Sequence, residues 1–514
     1  MASFNPEESF ADLKREFGEY GGVNASVEVS TTFTVLRADT MPDIFSGKLN
    51  PDNGSCFLYG RSFNPTVRYL GRQLAALEGT EAAYATSSGL AAISSTLLRI
   101  CNTGDHIVSS NAVYGGSFAL MKDFLPTKCG IRTTFVNVAD LAAVEAAITD
   151  RTKVIFTEAV SNPTLIVADL PRLAELAHAK GIMFVVDNTF SPMIISPARW
   201  GADVVVHSMT KFLSGASDIV AGCICGSAAF IASLMDLHNG PIMLLGPTMD
   251  PKVASELSLR LPHLGIRMAE HSRRGQAYAE RLTAAGTVVT YPGLSSHPQH
   301  SLMRRLHNPD YGFGGLLTVD LGSQQTAERF MERLQNRHRF GLIAVSLGYF
   351  ETLMSCSGAS TSSELTELER SVAGISGGLV RMSVGITGSV EQRWKQLDEA
   401  FRHVQANPSG LLPYRAAPMV RNGKGELTRM PSWASMGSSL QSDGSPHFMH
   451  GPGPFDSDTA DSDTAEGRAA AGGRSGSEDI KPAHQADAAD GGPPAKIRRI
   501  GAVDVAYTKV TSRK

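Results

Sequence analysis

The sequence predicts an α/β protein: a large, mostly parallel sheet covered by helices on both faces, then a smaller α+β unit and a low-complexity tail. Three observations predict it. Short apolar strands alternate with amphipathic helices from about residue 65 to 265. The strands read as continuous apolar runs, not as alternations of apolar and polar. Composition changes sharply near residue 410. A strand apolar on both sides is buried on both faces, as in a parallel sheet roofed by helices.

Residues 1–64 are rich in turn signals (EYGG, MPDIFSG, NPDNG) and lack sustained periodicity, so they read as an arm that packs on something else. RYLGRQLAALEG (68–79) has its apolar residues on one helical face, EAAYATS (81–87) is a strand, and GLAAISSTLLRIC (89–101) is a helix. HIVSS (106–110) is a strand, 139–149 a helix and KVIFTEAV (153–160) a strand. DLPRLAELAHAKG (169–181) is a helix stopped by Gly181, and IMFVVDNTF (182–190) and DVVVHSM (203–209) are strands. IVAGCICGSAAFIASLMDL (219–237) is interrupted by Gly and Ser, so it reads as a buried strand running into a helix and not as a membrane span. A charged helix near 267–285, strands LLTVDL (316–321), LIAVSLG (342–348) and GLVRMSVG (378–385), and a helix near 389–406 compose the smaller unit. From 441 to 494 the only branched aliphatic residue is Ile480, and DSDTA occurs twice in succession at 456–465. Such a stretch buries too little apolar surface to offset its ordering entropy and is expected to be disordered. The expected division is thus an arm at 1–64, a large part at 65–266, a small α+β part at 267–408 and a tail at 409–514.

Charge and cysteine usage narrow the function classes. Lys and Arg total 47 against 50 Asp and Glu, a net charge of −3 over 514 residues, so no global basic field exists for a nucleic acid or an anionic membrane. Six cysteines at spacings that fit neither a disulfide framework nor a zinc clamp point to a reducing compartment and no metal site. The early acidic residues and missing apolar segment of the N-terminus argue against a secretory or organelle signal, so a cytoplasmic protein is expected. Lys496, Arg498 and Arg499 form a small basic cluster in the tail, read as a solvated charge cluster.

The chemistry-bearing residues fall at strand ends. Asp187 closes the strand IMFVVD, at the rim where a parallel sheet presents side chains to a ligand crevice. Lys211 follows the strand VVVHSMTK, close to buried surface, where burial lowers a lysine's pKa and frees its amine as a nucleophile toward carbonyls. In AAYATSSGLAAI (82–93) a strand turns through Ser88, Gly89 and Leu90 into a helix whose first N–H groups suit a phosphate, and Ser208 and Thr210 add hydroxyls. Taken singly these are strand-end charges and a helix cap. Together they describe one ligand: an aldehyde for Lys211, a ring nitrogen for Asp187 and a phosphate for the helix start. That ligand is pyridoxal 5′-phosphate.

The sequence also resembles the pyridoxal-phosphate enzymes of cysteine and methionine metabolism over about residues 18–406. The resemblance is carried by YGRSFNPT (59–66), SSGLAAI (87–93), YGG (114–116), SNPT (161–164), VVDNTF (185–190), HSMTKFLSGASDIVAG (207–222), VSLGYFETL (345–353) and GLVRMSVG (378–385). GEYGGVNASVE, GPIMLLGPTMDPKVASELSLRLPHL and SLGYFETLMSCSGAS resemble the plant-type methionine γ-lyases within it.

The resemblance implies the fold-type I, aspartate-aminotransferase-like architecture. It gives Lys211 the bond to the cofactor aldehyde and the subsequent proton shuttling, Asp187 the pyridine nitrogen, and Asn162 the ring hydroxyl. Tyr114 would stack on the ring and act as acid toward the leaving thiolate. Ser88, Gly89, Leu90, Ser208 and Thr210 would hold the phosphate, joined by Tyr59 and Arg61 of a neighbouring subunit. Arg381, with Ser346 and Tyr59, would hold the substrate carboxylate as a bidentate fork. A homotetramer built as a dimer of active dimers follows from the shared site. The implied reaction is γ-elimination of L-methionine to methanethiol, 2-oxobutanoate and ammonia. Cystathionine γ-lyase, cystathionine γ-synthase and O-acetylhomoserine sulfhydrylase use the same apparatus on related sulfur amino acids. The bacterial methionine γ-lyases carry a cysteine where Gly116 stands here and an aspartate where Tyr349 stands, so the preferred thioether stays open at this point.

Overall fold

The computed structural model describes residues 4–46, 48–50, 56–61, 63–356, 366, 370 and 374–406, together with the backbone of 419–421 and 427–429. The chain divides into two units, Met1–Tyr414 and Arg415–Lys514. In the second, Met419–Arg421 pairs antiparallel with Leu427–Arg429. Apart from that pair, the tail expected to lack a fold, with its basic cluster, lies outside the described residues.

In the first unit a large sheet is built from β1 (Ala82–Thr86), β2 (His106–Ser110), β3 (Arg132–Val136), β4 (Thr152–Glu158), β5 (Met183–Asp187), β6 (Val204–Ser208) and β7 (Gly222–Gly226). Its order is β1-β7-β6-β5-β4-β2-β3, and only β7 runs antiparallel to its neighbours. The continuous apolar runs have the expected cause. Val154, Phe156, Val185, Val204 and Val206 belong to one core, and Ile155, Phe184, Val186 and Val205 to the other. Alternate residues of each strand therefore face different cores, and both cores are apolar.

Helices α1 (Pro65–Glu78), α2 (Gly89–Ile100), α3 (Leu170–Ala179) and α4 (Pro251–Arg260) surround this sheet, and α5 (Leu264–Ala284) runs from its core at Leu264 and Met268 into a second core at Tyr278 and Leu282. Asn64 caps α1 by accepting from the N–H groups of Thr66 and Val67 at 2.9 and 3.2 Å. Gly181, the expected stop after α3, has φ +67°, a left-handed conformation that glycine adopts without strain. The run at 219–237 is β7 followed by a helix at Ala228–Ser233. No helix among the described residues is long and apolar enough to cross a membrane.

A second sheet holds β8 (Val288–Thr290), β9 (Leu316–Asp320), β10 (Leu342–Ile343), β11 (Leu353–Cys356) and β12 (Leu379–Ser383), in the order β10-β11-β12-β9-β8. Its core, with Val319, Met354, Val380 and Met382, is closed by α6 (Val390–Ala406) through Leu397, Phe401 and Val404. The strand predicted over 342–348 is shorter. Only Leu342 and Ile343 pair with β11, and the chain turns at Ser346, a non-glycine residue at φ +86°.

Candidate active site

The C-terminal ends of β4, β5 and β6 and the start of α2 open onto one cavity of about 230 Å³, lined also by Tyr114, Ser346 and Arg381. Such a crevice outside the carboxyl ends of the strands is where open α/β sheets bind ligands. Ser88, Gly89, Leu90, Asn162, Asp187, Ser208, Thr210 and Lys211 all line it. The cavity thus gathers residues dispersed over nearly 300 positions of sequence. Tyr59 and Arg61 are not among its lining residues. Tyr59 is 50% exposed, and Arg61 Nη1 donates to the Met243 carbonyl at 2.7 Å.

At one end of the cavity Ser88 caps α2, its Oγ accepting from the Ala91 N–H at 3.1 Å. The first-turn N–H groups of Gly89 and Leu90 have no intrahelical acceptor, so they are free to meet an anion. Gly89 is required by space. A Cβ there would lie 2.7 Å from Ser208 Cβ, so the start of α2 and the end of β6 are in direct contact, which brings the first-turn N–H groups of α2 beside Ser208 on one wall of the cavity.

Asp187 ends β5. The N–H and hydroxyl of Thr189 donate to its Oδ1 at 2.9 and 2.5 Å, and its other oxygen takes no hydrogen bond among the described residues. Burial raises its pKa, against the pull of those Thr189 bonds. Its ladder partner on β4 is Glu158, a second buried carboxylate pushed further up by burial and by Asp187 itself. Both oxygens of Glu158 are taken by backbone N–H groups, so the free oxygen of Asp187 is the one available to a positively charged ring.

Lys211 Nζ donates to Ser346 Oγ at 2.8 Å. Burial, then the Arg381 charge, lowers the amine to about 8. Arg381, 1% exposed, projects from β12. Its Nη1 donates to Asn162 Oδ1 at 3.1 Å and its Nη2 to the Ser346 carbonyl at 2.7 Å, while Nε has no partner among the described residues. The left-handed turn at Ser346 serves both groups, presenting Oγ to the lysine and the carbonyl to the arginine.

Glu158 is the functional residue that sequence reasoning missed. Its two oxygens accept the backbone N–H groups of Tyr114 and Asn162 at 2.7 and 2.8 Å, so it ties together two residues 48 positions apart. The signal was present, since Glu158 closes its strand as Asp187 closes the next. Thr189 and Phe190, within the DNTF motif, also line the cavity.

These donors fit pyridoxal phosphate. An oxyanion cradle with no room for a Cβ, a carboxylate with one oxygen left over, and a lysine with a lowered pKa match its phosphate, ring nitrogen and aldehyde. The fold and the cavity together define a fold-type I pyridoxal-phosphate-dependent enzyme. The chain belongs to the Cys/Met metabolism PLP-dependent enzyme family, whose pattern matches residues 11–402. It is 56% identical over 398 residues to the methionine γ-lyase of Arabidopsis thaliana, covering 77% of this chain and 90% of that one. With the L-methionine γ-lyase of Pseudomonas putida it shares 39% identity over 370 residues, 71% of this chain and 89% of the relative. Among solved structures, an O-acetylhomoserine (thiol)-lyase from Campylobacter jejuni superposes with a TM-score of 0.71 at 25% identity, over 78% of this chain and all of that one. That structure carries N′-pyridoxyl-lysine-5′-monophosphate.

Proposed function

We propose that this chain catalyses the γ-elimination of L-methionine to methanethiol, 2-oxobutanoate and ammonia. The observation that carries this reading is the convergence of Lys211, Asp187 and Arg381 on one cavity in a chain 56% identical to a methionine γ-lyase. Bound in that cavity, pyridoxal phosphate supplies an electron sink for negative charge developing on an amino acid's carbons.

The residues divide the remaining work. Lys211 would hold the cofactor aldehyde and, with substrate bound, would move protons at Cα and Cβ; an amine with a pKa of about 8 is near the operating pH, where proton transfer is most effective. Asp187 holds the ring nitrogen's proton, and Asn162 faces the ring hydroxyl. Gly89, Leu90, Ser88, Ser208 and Thr210 hold the phosphate. Arg381 clamps the substrate carboxylate, with Ser346 beside it. Tyr114 stacks on the ring and protonates the departing methanethiolate, its backbone fixed by Glu158.

The cations among the described residues that line the cavity, Lys211 and Arg381, are spoken for by aldehyde and carboxylate, which leaves the phosphate without a positive counter-charge from those residues. Arg61 of a second copy would supply it, with Tyr59 alongside. The arm supports this reading, for Phe17, Tyr20, Val23 and Leu36 are 66% to 101% exposed in a single chain. A homotetramer of two active dimers in the cytoplasm, with 65–266 as the cofactor-binding part and 267–408 as the smaller part, completes the proposal.

The test is a panel of L-methionine, cystathionine, homocysteine and cysteine, with 2-oxo acid and volatile thiol measured together and no second substrate added. Methanethiol and 2-oxobutanoate in equal amounts from methionine support the lyase reading. Product only from cystathionine, or only when a thiol acceptor is added, moves the assignment to a cystathionine γ-lyase or to a synthase or sulfhydrylase.

A further inference from the structure

On the α1 side of the large sheet a carboxylate and an imidazole are buried together. Glu78 is the last residue of α1 and His207 the next-to-last of β6, and their side chains are 6% and 2% exposed. His207 Nε2 donates to Glu78 Oε1 at 2.7 Å, and the same oxygen accepts from Asn188 Nδ2 at 3.2 Å. Glu78 Oε2 and His207 Nδ1 have no hydrogen-bond partner among the described residues. Stability does not explain this arrangement. Removing two charges from water costs more than their attraction reliably returns, and apolar side chains of similar volume would hold α1 on the sheet as well.

What the pair touches gives the better explanation. Asn188 lies between Asp187 and Thr189, and its side chain is fully engaged, donating also to the Ile195 carbonyl at 2.8 Å and accepting from Ser191 Oγ at 2.8 Å. His207 directly precedes Ser208, whose N–H donates to Thr189 Oγ1 at 2.8 Å, and Thr189 in turn donates to Asp187. A closed ring results: Asp187, Thr189, Ser208, His207, Glu78, Asn188 and back to Asp187, joined by hydrogen bonds and by the chain itself. Glu78 is its only member from outside β5, β6 and the residues that follow β5.

We propose that Glu78 is a positioning residue of this active site, acting through Asn188 and His207 to fix the distance between the Asp187 carboxylate and Ser208. Those two groups sit at the ring-nitrogen and phosphate ends of the cavity, so their spacing decides whether one ligand reaches both. Charge acts in the same direction. Burial opposes protonation of His207, but the Glu78 carboxylate raises its pKa to about 9, and the retained charge favours the ionised form of Asp187. This placement rests on pyridoxal phosphate occupying the cavity.

The experiment uses the full chain stripped of cofactor and titrated with pyridoxal phosphate, followed by the visible absorbance of the complex. Glu78→Gln keeps the volume and an acceptor oxygen but removes the charge; it is expected to melt cooperatively and to bind the cofactor about tenfold more weakly, since positioning contacts of this kind couple at that scale. In an Asp187→Asn background the same substitution is expected to change the affinity less than about twofold, because with the carboxylate gone its spacing from Ser208 no longer matters to the ligand. Unchanged affinity in the single variant overturns the proposal, and so does a loss of equal size in both backgrounds, which marks Glu78 as merely structural. Should Glu78→Gln not fold, the wild-type chain decides. Coupling between sites is reciprocal, so cofactor loading must slow amide exchange at residues 75–79, and unchanged exchange there overturns the proposal. A wild-type chain that takes up no pyridoxal phosphate overturns the cofactor reading and this placement together; normal uptake with an unaffected Glu78→Gln overturns this placement alone.

Discussion

Lys211 must lose a proton before it can attack an aldehyde, and its surroundings set the pH at which it does so. Desolvation disfavours the ammonium, and the guanidinium of Arg381 adds repulsion, so the amine titrates near 8 and not in the ordinary lysine range. The sign follows directly, since raising pH through this value increases the neutral, reactive fraction. Between pH 7 and pH 9 that fraction climbs from about one-tenth to about nine-tenths, so cofactor loading should accelerate roughly tenfold and then level off. A lysine at its usual value would speed up about a hundredfold over the same interval with no plateau. Stopped-flow mixing of the cofactor-free chain with pyridoxal phosphate distinguishes the two curves. A rate still rising steeply at pH 9 means the cavity does not depress the lysine. In Lys211→Ala borohydride should fix no pyridoxyl group to the chain, and a label mapped to a different lysine would move the assignment there.

The elements of the large sheet were readable because their chemistry is local. Val154, Ile155 and Phe156 announce a strand buried on both faces, and Asp187 and Lys211 stand where such strands end. β3 gave no such signal. RTTFV begins polar and sits at the sheet edge with a single neighbour, so its exposed positions interrupt the apolar run. The strand read over 342–348 failed for a functional reason, as Ser346 leaves the ladder to meet Lys211 and Arg381. The link from Glu78 to His207 spans 129 residues and has no local trace at all. The join of α2 to β6 makes a test at this scale. A Cβ at Gly89 would stand 2.9 Å from Ser208 Cα, so Gly89→Ala forces the helix start or the strand end to move. Overpacking of this kind costs about 1–3 kcal/mol, enough to weaken cofactor binding about tenfold to a hundredfold if the shift falls on the cradle. Gly181→Ala is the control, with nothing within 4 Å of its Cβ but φ +67°; it should lower the melting temperature and leave cofactor affinity unchanged. Equal affinity in Gly89→Ala and wild type would remove the close approach from the account of phosphate binding.

At the scale of the whole molecule, the single chain leaves two expected site residues outside its own cavity. Arg61 Nη1 donates to the Met243 carbonyl, its guanidinium lies 5.6 Å from the Tyr59 ring centroid, and neither residue lines the cavity. The alternatives are that Arg61 acts within its own chain or that it serves a second copy, and mixing subunits separates them. Lys211→Ala removes the amine from its own cavity, and Arg61→Ala removes the counter-charge from wherever Arg61 acts. If sites are shared across a two-fold interface, a mixed pair contains one cavity with both defects and one with neither. Random reassortment makes about half of the pairs mixed, with one sound cavity in each, so two nearly inactive proteins should regain about one-quarter of wild-type activity when denatured, combined and refolded together. If Arg61 acts within its own chain, no combination assembles a sound cavity and the mixture stays as inactive as its parts. Tyr59→Phe in place of Arg61→Ala should complement Lys211→Ala in the same proportion if both residues reach the same neighbouring cradle. Complementation by one and not by the other would assign them to different cavities.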